Sequence, residues 1–231
     1  MGEGWPHGPA FLPDYGGLGG SVIDLAIIAE EIAYTSADFF MAHAGGIFCE
    51  LNIERKGNEA QKQKYLPGLI AGDLRMAISI SEADAGSDIA AMKIRVVKTE
   101  NGWRISGDKL WSTGSGVKDI LLNVYLVTDP DVNPRMGMSL FLIPRDVPGV
   151  EIKNLDMLGR KSTGTYEIHF DNVEVPDEAI VGGINAGWDC VLSGFQVERI
   201  TSAAGNIVAF GYSMEYPMQR QHRCRFIANA A

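Results

Sequence analysis

The chain of 231 residues carries 20 Lys and Arg against 29 Asp and Glu, which gives a formal net charge of −9. This acidic balance argues against nucleic acid or an anionic membrane surface as a general partner. Hydrophobic residues make up 46% and charged residues 21% of the chain, as in ordinary globular proteins, so the composition argues against disorder.

The sequence shows no sign of a membrane span, a secretory signal or a metal site. No apolar run is long enough to cross a bilayer, and the first residues, MGEGWPHGPAF, lack both the basic and the apolar part of a signal peptide. Cys49, Cys190 and Cys224 lie far apart and the four histidines are scattered, so we expect neither a disulfide framework nor a metal centre. We therefore expect a cytoplasmic protein.

Hydrophobic periodicity changes twice along the chain. Between residue 20 and about residue 71, apolar residues recur at helical spacing. Asn58 is the expected N-cap of a helix in this region, and Pro67 and Gly68 are expected to end that helix. From residue 76 to about 175 the period falls towards two, in the strand-like segments KIRVV, GWRIS, ILLNVYLV, MSLFLI and TYEIHF. From Gly187 the pattern is helical again until Pro217 interrupts it after Tyr216.

This order predicts an α+β protein of three parts. They are an N-terminal helical domain over residues 1–75, a middle antiparallel β-sandwich or barrel over 76–180, and the start of a C-terminal helical bundle over 181–231. A single amphipathic helix cannot bury its own apolar face, so we expect another subunit, or further chain, to cover the last helix. A homo-oligomer is the simplest such arrangement.

Two small-residue segments could hold a ligand. SEADAGSD, residues 81–88, follows a strand-like run, and such a turn can direct backbone N–H groups and a Ser hydroxyl at phosphate. In GDKLWSTGSG, residues 107–116, Trp111 and Thr113 alternate, so that an indole could cover an aromatic ring beside a hydroxyl. Taken alone, the first segment is more often only a turn and the second a half-buried strand.

The order YGGLGG, YLPGLIAGD, SEADAGSD, GDKLWSTGS, GTYEIHFDNVEVP and GWDCVLSGFQVERI closely resembles the acyl-CoA dehydrogenase family, over about residues 14–216. The resemblance implies an FAD-dependent oxidoreductase of fatty acid metabolism that converts an acyl-CoA thioester to the trans-2-enoyl-CoA and passes electrons to an electron-transfer flavoprotein. It also implies a C-terminal four-helix bundle and usually a tetramer. By this comparison the chain is short at its N-terminus and ends before the rest of the bundle.

The resemblance also assigns residues. Those implied for FAD binding are Ile78, Ser79, Ile80, Ser81, Ser87, Trp111, Ser112, Thr113 and Arg220. Those implied for substrate binding are Ser87, Thr163 and Arg199. The sequence departs from the family pattern at Ala83 and Asp84, which replace a Pro-Gly pair and bring a second carboxylate to the turn, and at Gly114, which replaces Asn. Near the end of the chain, Arg223 and Cys224 replace Phe and Gly.

Glu198 is the candidate base that would remove the α-proton. Most of the family has its catalytic Glu later in the bundle, whereas a minority has it on the helix that here reads FQVERITSAAG. The apolar spacing of Trp188, Val191, Leu192 and Phe195 continues to Glu198, and burial would raise the pKa of a carboxyl group there towards that of a useful base. Alternatively, the stripe shifts to Ile200, Ala203, Ala204, Ile207 and Val208, which would leave Glu198 and Arg199 on a solvated face.

Two other functions remain open at this point. One is a flavin monooxygenase of the same fold, which would use oxygen and need no carboxylate base. The other is a non-catalytic interaction subunit that keeps the fold without the full bundle.

Overall fold

The computed structural model describes the chain from residue 11 to residue 228, with side chains for residues 11–211. Three helices come first, α1 (Val22–Thr35), α2 (Ala37–Lys56) and α3 (Glu59–Ala71). Eight strands follow: β1 (Arg75–Ser79), β2 (Val96–Thr99), β3 (Gly102–Thr113), β4 (Ile120–Val127), β5 (Met138–Pro144), β6 (Val150–Leu155), β7 (Thr165–Val175) and β8 (Ile180–Val181). The last element is the long helix α4 (Gly187–Ala228).

Polar side chains define where the first helices begin. Ser21 and Asp24 form a capping box at the start of α1, and Asn58 forms another with Gln61 at the start of α3, as expected for Asn58. The expectation that Pro67 ends α3 is wrong. The helix continues because Leu69 and Ile70 of its last turn are buried in the core, and it ends at Gly72 in the left-handed conformation.

The strands form a sandwich of two four-stranded sheets, in the orders β1-β4-β5-β8 and β2-β3-β7-β6. The predicted α+β class with a middle β-sandwich is confirmed. The sheets are antiparallel except that β1 runs parallel to β4, which an all-antiparallel expectation misses. Boundaries of the three parts at residues 75/76 and 180/181 stay a prediction.

Strand β4 is buried on both faces and connects the two cores. Its residues Leu122 and Val124 point into the space between the sheets, whereas Leu121 and Tyr125 pack with the helices. The first sheet therefore lies between the second sheet and a helical layer. This explains why ILLNVYLV is a continuous apolar run, interrupted by one Asn, rather than an alternating one.

Helix α4 packs against α1 and α2. Two glycines permit the close approach: a Cβ atom at Gly194 would lie 3.2 Å from the Phe48 carbonyl oxygen, and one at Gly205 would lie 2.5 Å from the Phe40 ring. The expectation that nothing in the chain covers this helix is therefore wrong for one face. Ile200, Ile207 and Phe210 on its other side are exposed.

The backbone of α4 also continues beyond Pro217, contrary to the expected end at Tyr216. A proline removes one backbone hydrogen bond, and a long helix can continue past that loss.

Candidate functional site

The two ligand-binding candidate segments lie side by side. The Ser112 hydroxyl donates to the Ile78 carbonyl oxygen across 2.7 Å, and the Leu110 backbone N–H donates to the Ser81 carbonyl oxygen across 2.9 Å. The end of β1 and the end of β3 therefore form one continuous wall. The family resemblance assigned both segments to FAD binding, and the structure brings them into direct contact.

A buried ion pair between Lys109 and Glu82 connects the two segments of this wall on the side that faces the protein interior. Lys109 Nζ lies 2.8 Å from Glu82 Oε1 and 3.0 Å from the Ile80 carbonyl oxygen, with the Lys109 side chain fully buried. Burial lowers the pKa of Lys109, and the Glu82 carboxylate opposes that shift. Glu82 also accepts hydrogen bonds from the backbone N–H groups of Lys93 and Ile94. Neither residue of the pair is among those that the family resemblance implies for the site.

Trp111 is presented outward by a local distortion of β3. Its φ is +62°, and the pairing of β3 with β7 loses register between Lys109 and Ser112. Trp111 is 54% exposed to solvent, although tryptophan residues in folded proteins are usually mostly buried. Thr113 follows on the same segment, with its hydroxyl 3.5 Å from that of Thr165. Strand irregularities often lie next to active sites and redirect a side chain, and an outward indole offers a flat face on which a ring can stack.

FAD fits these residues. The wall offers an indole, short hydroxyls and backbone polar groups, and its buried charges are neutralised within the Lys109–Glu82 pair. Asp84, the extra carboxylate in the turn, binds Lys93 across 2.9 Å with both side chains mostly exposed, so it points to solvent. Ser87 lies exposed in the same turn. Gly114 has a φ of +81°, which suits glycine better than the Asn expected there.

Glu198 lies half-buried on the inward side of α4. The buried residues of this helix include Cys190, Val191, Val197 and Thr201, and they place Glu198 next to the packed face. Burial raises the pKa of Glu198, while the nearby Arg199 and Arg160 guanidinium groups lower it.

The alternative phase is wrong for its apolar stripe and for Glu198, which is half-buried, and right for the exposed position of Arg199. Ile200 and Ile207 are 47% and 70% exposed, whereas Gly194 and Gly205 approach residues of α2. Leu192, taken as part of the apolar stripe, is also exposed. Arg199 is exposed beside Glu198. Arg220 lies beyond the residues whose side chains the structure describes.

Thr163 belongs to the loop that joins β6 to β7. Its hydroxyl donates to the Arg160 carbonyl oxygen across 3.3 Å, and the neighbouring Ser162 hydroxyl donates to Asp38 at the start of α2. Thr163 lines a cavity of about 260 Å³ between this loop, α2 and the start of β1. Its other lining residues include Phe39, Met41, His43, Glu50, Arg75, Thr113 and Gly114. The cavity thus contains two of the predicted site residues, Thr113 and Thr163, but neither Trp111 nor Glu198.

Comparisons with known proteins identify the family. The model of the acyl-CoA dehydrogenase N-terminal domain matches residues 3–73, and the model of the acyl-CoA dehydrogenase middle domain matches residues 77–173. The chain belongs to the acyl-CoA dehydrogenase family, as its motifs predicted.

Individual relatives agree with this assignment. The mitochondrial isovaleryl-CoA dehydrogenase of Pongo abelii is 36% identical over 83% of this chain and 46% of its own length. The glutaryl-CoA dehydrogenase of Desulfococcus multivorans is 35% identical over 90% of this chain and 54% of its own. The structure of butyryl-CoA dehydrogenase from Megasphaera elsdenii superimposes with a TM-score of 0.83 at 28% identity, over 88% of this chain and 54% of that one. The chain spans about half the length of these relatives.

The remaining expectations concern membranes and metals. None of the helices described in the structure is long and apolar enough to cross a membrane. Among the described side chains, no group of three or more His, Cys, Asp and Glu converges as metal ligands would.

Proposed function

We propose that this chain acts in the FAD-dependent α,β-dehydrogenation of an acyl-CoA thioester to the trans-2-enoyl-CoA, with Glu198 as the base. The observation that carries the proposal is the placement of Glu198 on the inward side of α4, where burial raises the pKa of its carboxyl group. A base is most effective when its pKa is close to the working pH, because it then both accepts and releases a proton readily.

FAD would be held by the wall at the ends of β1 and β3. The residues that would contact it are Ile78, Ser79, Ile80, Ser81, Ser87, Trp111, Ser112 and Thr113, with Arg220 implied by the family resemblance. When bound, FAD supplies the hydride acceptor for the β-carbon of the substrate. In this arrangement the Trp111 indole would cover the flavin ring, and the Thr113 hydroxyl would donate a hydrogen bond to it. Together these residues would exclude water from the wall.

Glu198 would take the α-proton onto a carboxylate oxygen. The electron pair of the broken α-C–H bond becomes part of the new double bond as the hydride leaves the β-carbon, so the protonated Glu198 is neutral afterwards. Ser87, Thr163 and Arg199 would position the thioester and its CoA moiety. Arg199 and Arg160 oppose the effect of burial on the Glu198 pKa, so they help the carboxyl group to return to its charged form.

The relatives suggest a short acyl group. These relatives are named for isovaleryl-, glutaryl- and butyryl-CoA, and we propose a short-chain acyl-CoA as the substrate of this chain as well. Electron transfer to an electron-transfer flavoprotein, a cytoplasmic location and homo-oligomeric assembly are further parts of the proposal. The exposed Ile200, Ile207 and Phe210 on α4 support the assembly.

The visible spectrum of the purified chain tests this function. We expect the chain to retain FAD and the flavin absorption band to bleach when butyryl-CoA is added without oxygen. The variant Glu30→Gln, which changes an exposed carboxylate on α1, should behave as the wild type. Failure to retain FAD would favour a non-catalytic subunit. Oxygen consumption by the reduced flavin, with no bleaching by acyl-CoA, would favour the monooxygenase.

A further inference from the structure

Three consecutive residues of the β6–β7 loop connect the helical layer to the second sheet. At one end, Ser162 donates to Asp38 Oδ2 in the first turn of α2, through its hydroxyl group and, across 3.4 Å, through its backbone N–H. At the other end, the Gly164 carbonyl oxygen accepts a hydrogen bond from the backbone N–H of Gly114, just after β3, across 3.1 Å. Thr163 lies between the two ends. We call Ser162, Thr163 and Gly164 the bridge.

Contacts within the loop fix the sheet end of the bridge. The Arg160 carbonyl oxygen accepts hydrogen bonds from the Gly164 backbone N–H across 2.9 Å and from the Thr163 hydroxyl across 3.3 Å. Gly164 has a φ of +69°, and a Cβ atom there would lie 2.4 Å from the Tyr166 hydroxyl oxygen. A larger residue would suit neither this backbone conformation nor this space, so the sheet end has one defined geometry.

Asp38 fixes the helix end of the bridge. One of its carboxylate oxygens accepts both hydrogen bonds from Ser162, and hydrogen bonds to a charged acceptor are stronger than those between neutral groups. The carboxylate also lies in the first turn of α2, where the partial positive charge of the helix N-terminus stabilises it. Ser162 itself is exposed, so packing does not hold it in place. The orientation of the chain as it enters Thr163 therefore depends on Asp38.

The bridge borders the mouth of the cavity of about 260 Å³. Some of the lining residues are exposed and mark this mouth: Phe39, Ala42, Arg75 and Ser162. Others are buried and mark the inner end: His43, Gly46 and Glu50. Because Asp38 directly precedes Phe39, its contact with Ser162 lies at the mouth. Thr163 and Thr113 both line the cavity, so a ligand bound there would contact the bridge close to the proposed FAD wall.

We propose that Asp38 is a positioning residue for the substrate: it holds the bridge at the mouth of the cavity and thereby places Thr163 to bind the acyl-CoA thioester. Without the Asp38 contact, the bridge would be released from α2 while its other end stayed attached beside β3. Thr163 would then lose its fixed distance from α2, which forms the opposite wall of the cavity. The role in substrate binding rests on the proposed function, whereas the attachment of the bridge by Asp38 does not.

Limited digestion with trypsin tests the attachment on the chain without FAD or substrate. Arg160 and Lys161, the two residues before the bridge, are exposed, and cleavage after them requires the loop to open. We expect Asp38→Ala to raise the rate of this cleavage about tenfold, because it removes hydrogen bonds to a charged group. Asp38→Asn keeps an oxygen acceptor and should raise the rate less. Cleavage after Arg135, which is exposed between β4 and β5, is the internal reference and should not change.

The partner residue and a matched acidic residue complete this test. Ser162→Ala should raise the cleavage rate by less than Asp38→Ala, because the backbone N–H of residue 162 still donates to Asp38. The double variant should be cut no faster than Asp38→Ala alone, since both changes remove the same contact. Glu59→Ala removes an exposed carboxylate from the first turn of α3 and should leave the rate unchanged.

Circular dichroism establishes which variants are folded, and Ser162→Ala provides the test if Asp38→Ala does not fold. Wild-type cleavage rates in the folded variants would overturn the proposal. A double variant in which the two effects add in full would overturn it as well, because the two side chains would then act independently.

Binding of acetyl-CoA to the chain loaded with FAD tests the role in substrate binding. Acetyl-CoA has no β-carbon and cannot be dehydrogenated, so isothermal titration calorimetry measures its dissociation constant without turnover. Ser162→Ala leaves the net charge of the chain unchanged, and we expect it to weaken binding by about threefold or more while FAD affinity stays the same. Glu59→Ala, the control for a lost carboxylate, should bind acetyl-CoA as the wild type does.

The outcomes of the two measurements are distinguishable. Wild-type affinity for acetyl-CoA in Ser162→Ala, together with a raised cleavage rate, would overturn the role of the bridge in substrate binding. Absence of thioester binding in the wild type would overturn the proposed function and the substrate role with it. The trypsin result would still decide whether Asp38 holds the bridge.

Discussion

Lys109 Nζ lies 2.8 Å from Glu82 Oε1 in a buried ion pair that joins strand β3 to the turn after β1. The pair stands directly behind the wall formed by Ser81 and Trp111, which the proposed function assigns to FAD. The Glu82 carboxylate also accepts hydrogen bonds from the backbone N–H groups of Lys93 and Ile94, so it holds in place the segment that leads into β2. The geometry of the wall therefore depends on a charge pair that does not itself face the ligand.

Removing one charge of this pair should destabilise the protein strongly. Lys109→Met leaves the Glu82 carboxylate buried without its cation, which costs about 3–5 kcal/mol. The control Lys93→Met breaks an exposed pair of similar length, Lys93 with Asp84 at 2.9 Å, and should cost less than about 1 kcal/mol. Urea unfolding measures both free energies. Equal losses for the two variants would mean that the buried pair has no special role.

Two glycines of α4 should respond oppositely to the same substitution. A Cβ atom at Gly205 would lie 2.5 Å from the buried Phe40 ring, so Gly205→Ala should destabilise by about 1–3 kcal/mol through overpacking. Gly211 has nothing within 4 Å of that position, so Gly211→Ala should stabilise by about 0.5–1 kcal/mol through helix propensity. Thermal unfolding distinguishes them. Stabilisation by both variants would contradict the packing of α4 on Phe40.

Trp111 should affect FAD binding more than folding. Its indole is largely exposed, so Trp111→Ala should leave the unfolding free energy almost unchanged. FAD affinity should fall by about tenfold or more, because an aromatic stack worth about 1.5 kcal/mol beyond its buried area is lost. Flavin fluorescence titration measures the dissociation constant. Val97→Ala, which trims an exposed residue of β2, is the control, and an equal fall in both variants would exclude Trp111 from the site.

His169 and Asp108 make stability depend on pH. Their hydrogen bond between β7 and β3 raises the pKa of His169 above its usual value. The contribution is therefore complete below about pH 6.5 and is lost as the pH rises through the raised pKa of the folded state. Both side chains are about half exposed, so we expect less than about 1 kcal/mol, reduced further by salt.

Asp108→Asn provides the comparison for this pH dependence. The wild type should exceed the variant in unfolding free energy at acidic pH, and the difference should shrink towards neutral and alkaline pH. A difference in unfolding free energy that grows with rising pH would show that the pKa of His169 is not raised by Asp108.

Local patterns in the sequence predicted much of the fold. Asn58 caps α3 as its side chain requires, and the period-two segments form strands. The half-buried position of Glu198 agrees with the apolar stripe that includes Val191, although Leu192 of that stripe is exposed. Neither Pro67 nor Pro217 ends its helix, because a proline removes only one backbone hydrogen bond. In α3, burial of Leu69 and Ile70 keeps the last turn in place.

Contacts between distant segments could not be predicted in the same way. The strand distortion at Trp111 changes which residues of β3 face inward, so Ser112 is buried and Trp111 exposed, contrary to simple alternation from Lys109. Asn52 and Tyr125 are 73 residues apart, and the hydrogen bond between their side chains depends on how α2 lies on the first sheet. Such contacts arise from tertiary packing, about which local periodicity carries no information.

Deuterium exchange at the α-carbon of butyryl-CoA tests the role of Glu198 most directly, because it measures proton abstraction separately from hydride transfer. The chain loaded with FAD is mixed with butyryl-CoA in D₂O, and NMR follows the loss of the α-proton signal. Glu198→Gln should slow the exchange by about 10²–10⁴-fold while FAD binding persists, and Glu30→Gln should exchange at the wild-type rate. Exchange at the wild-type rate in Glu198→Gln would contradict the assignment of Glu198 as the base.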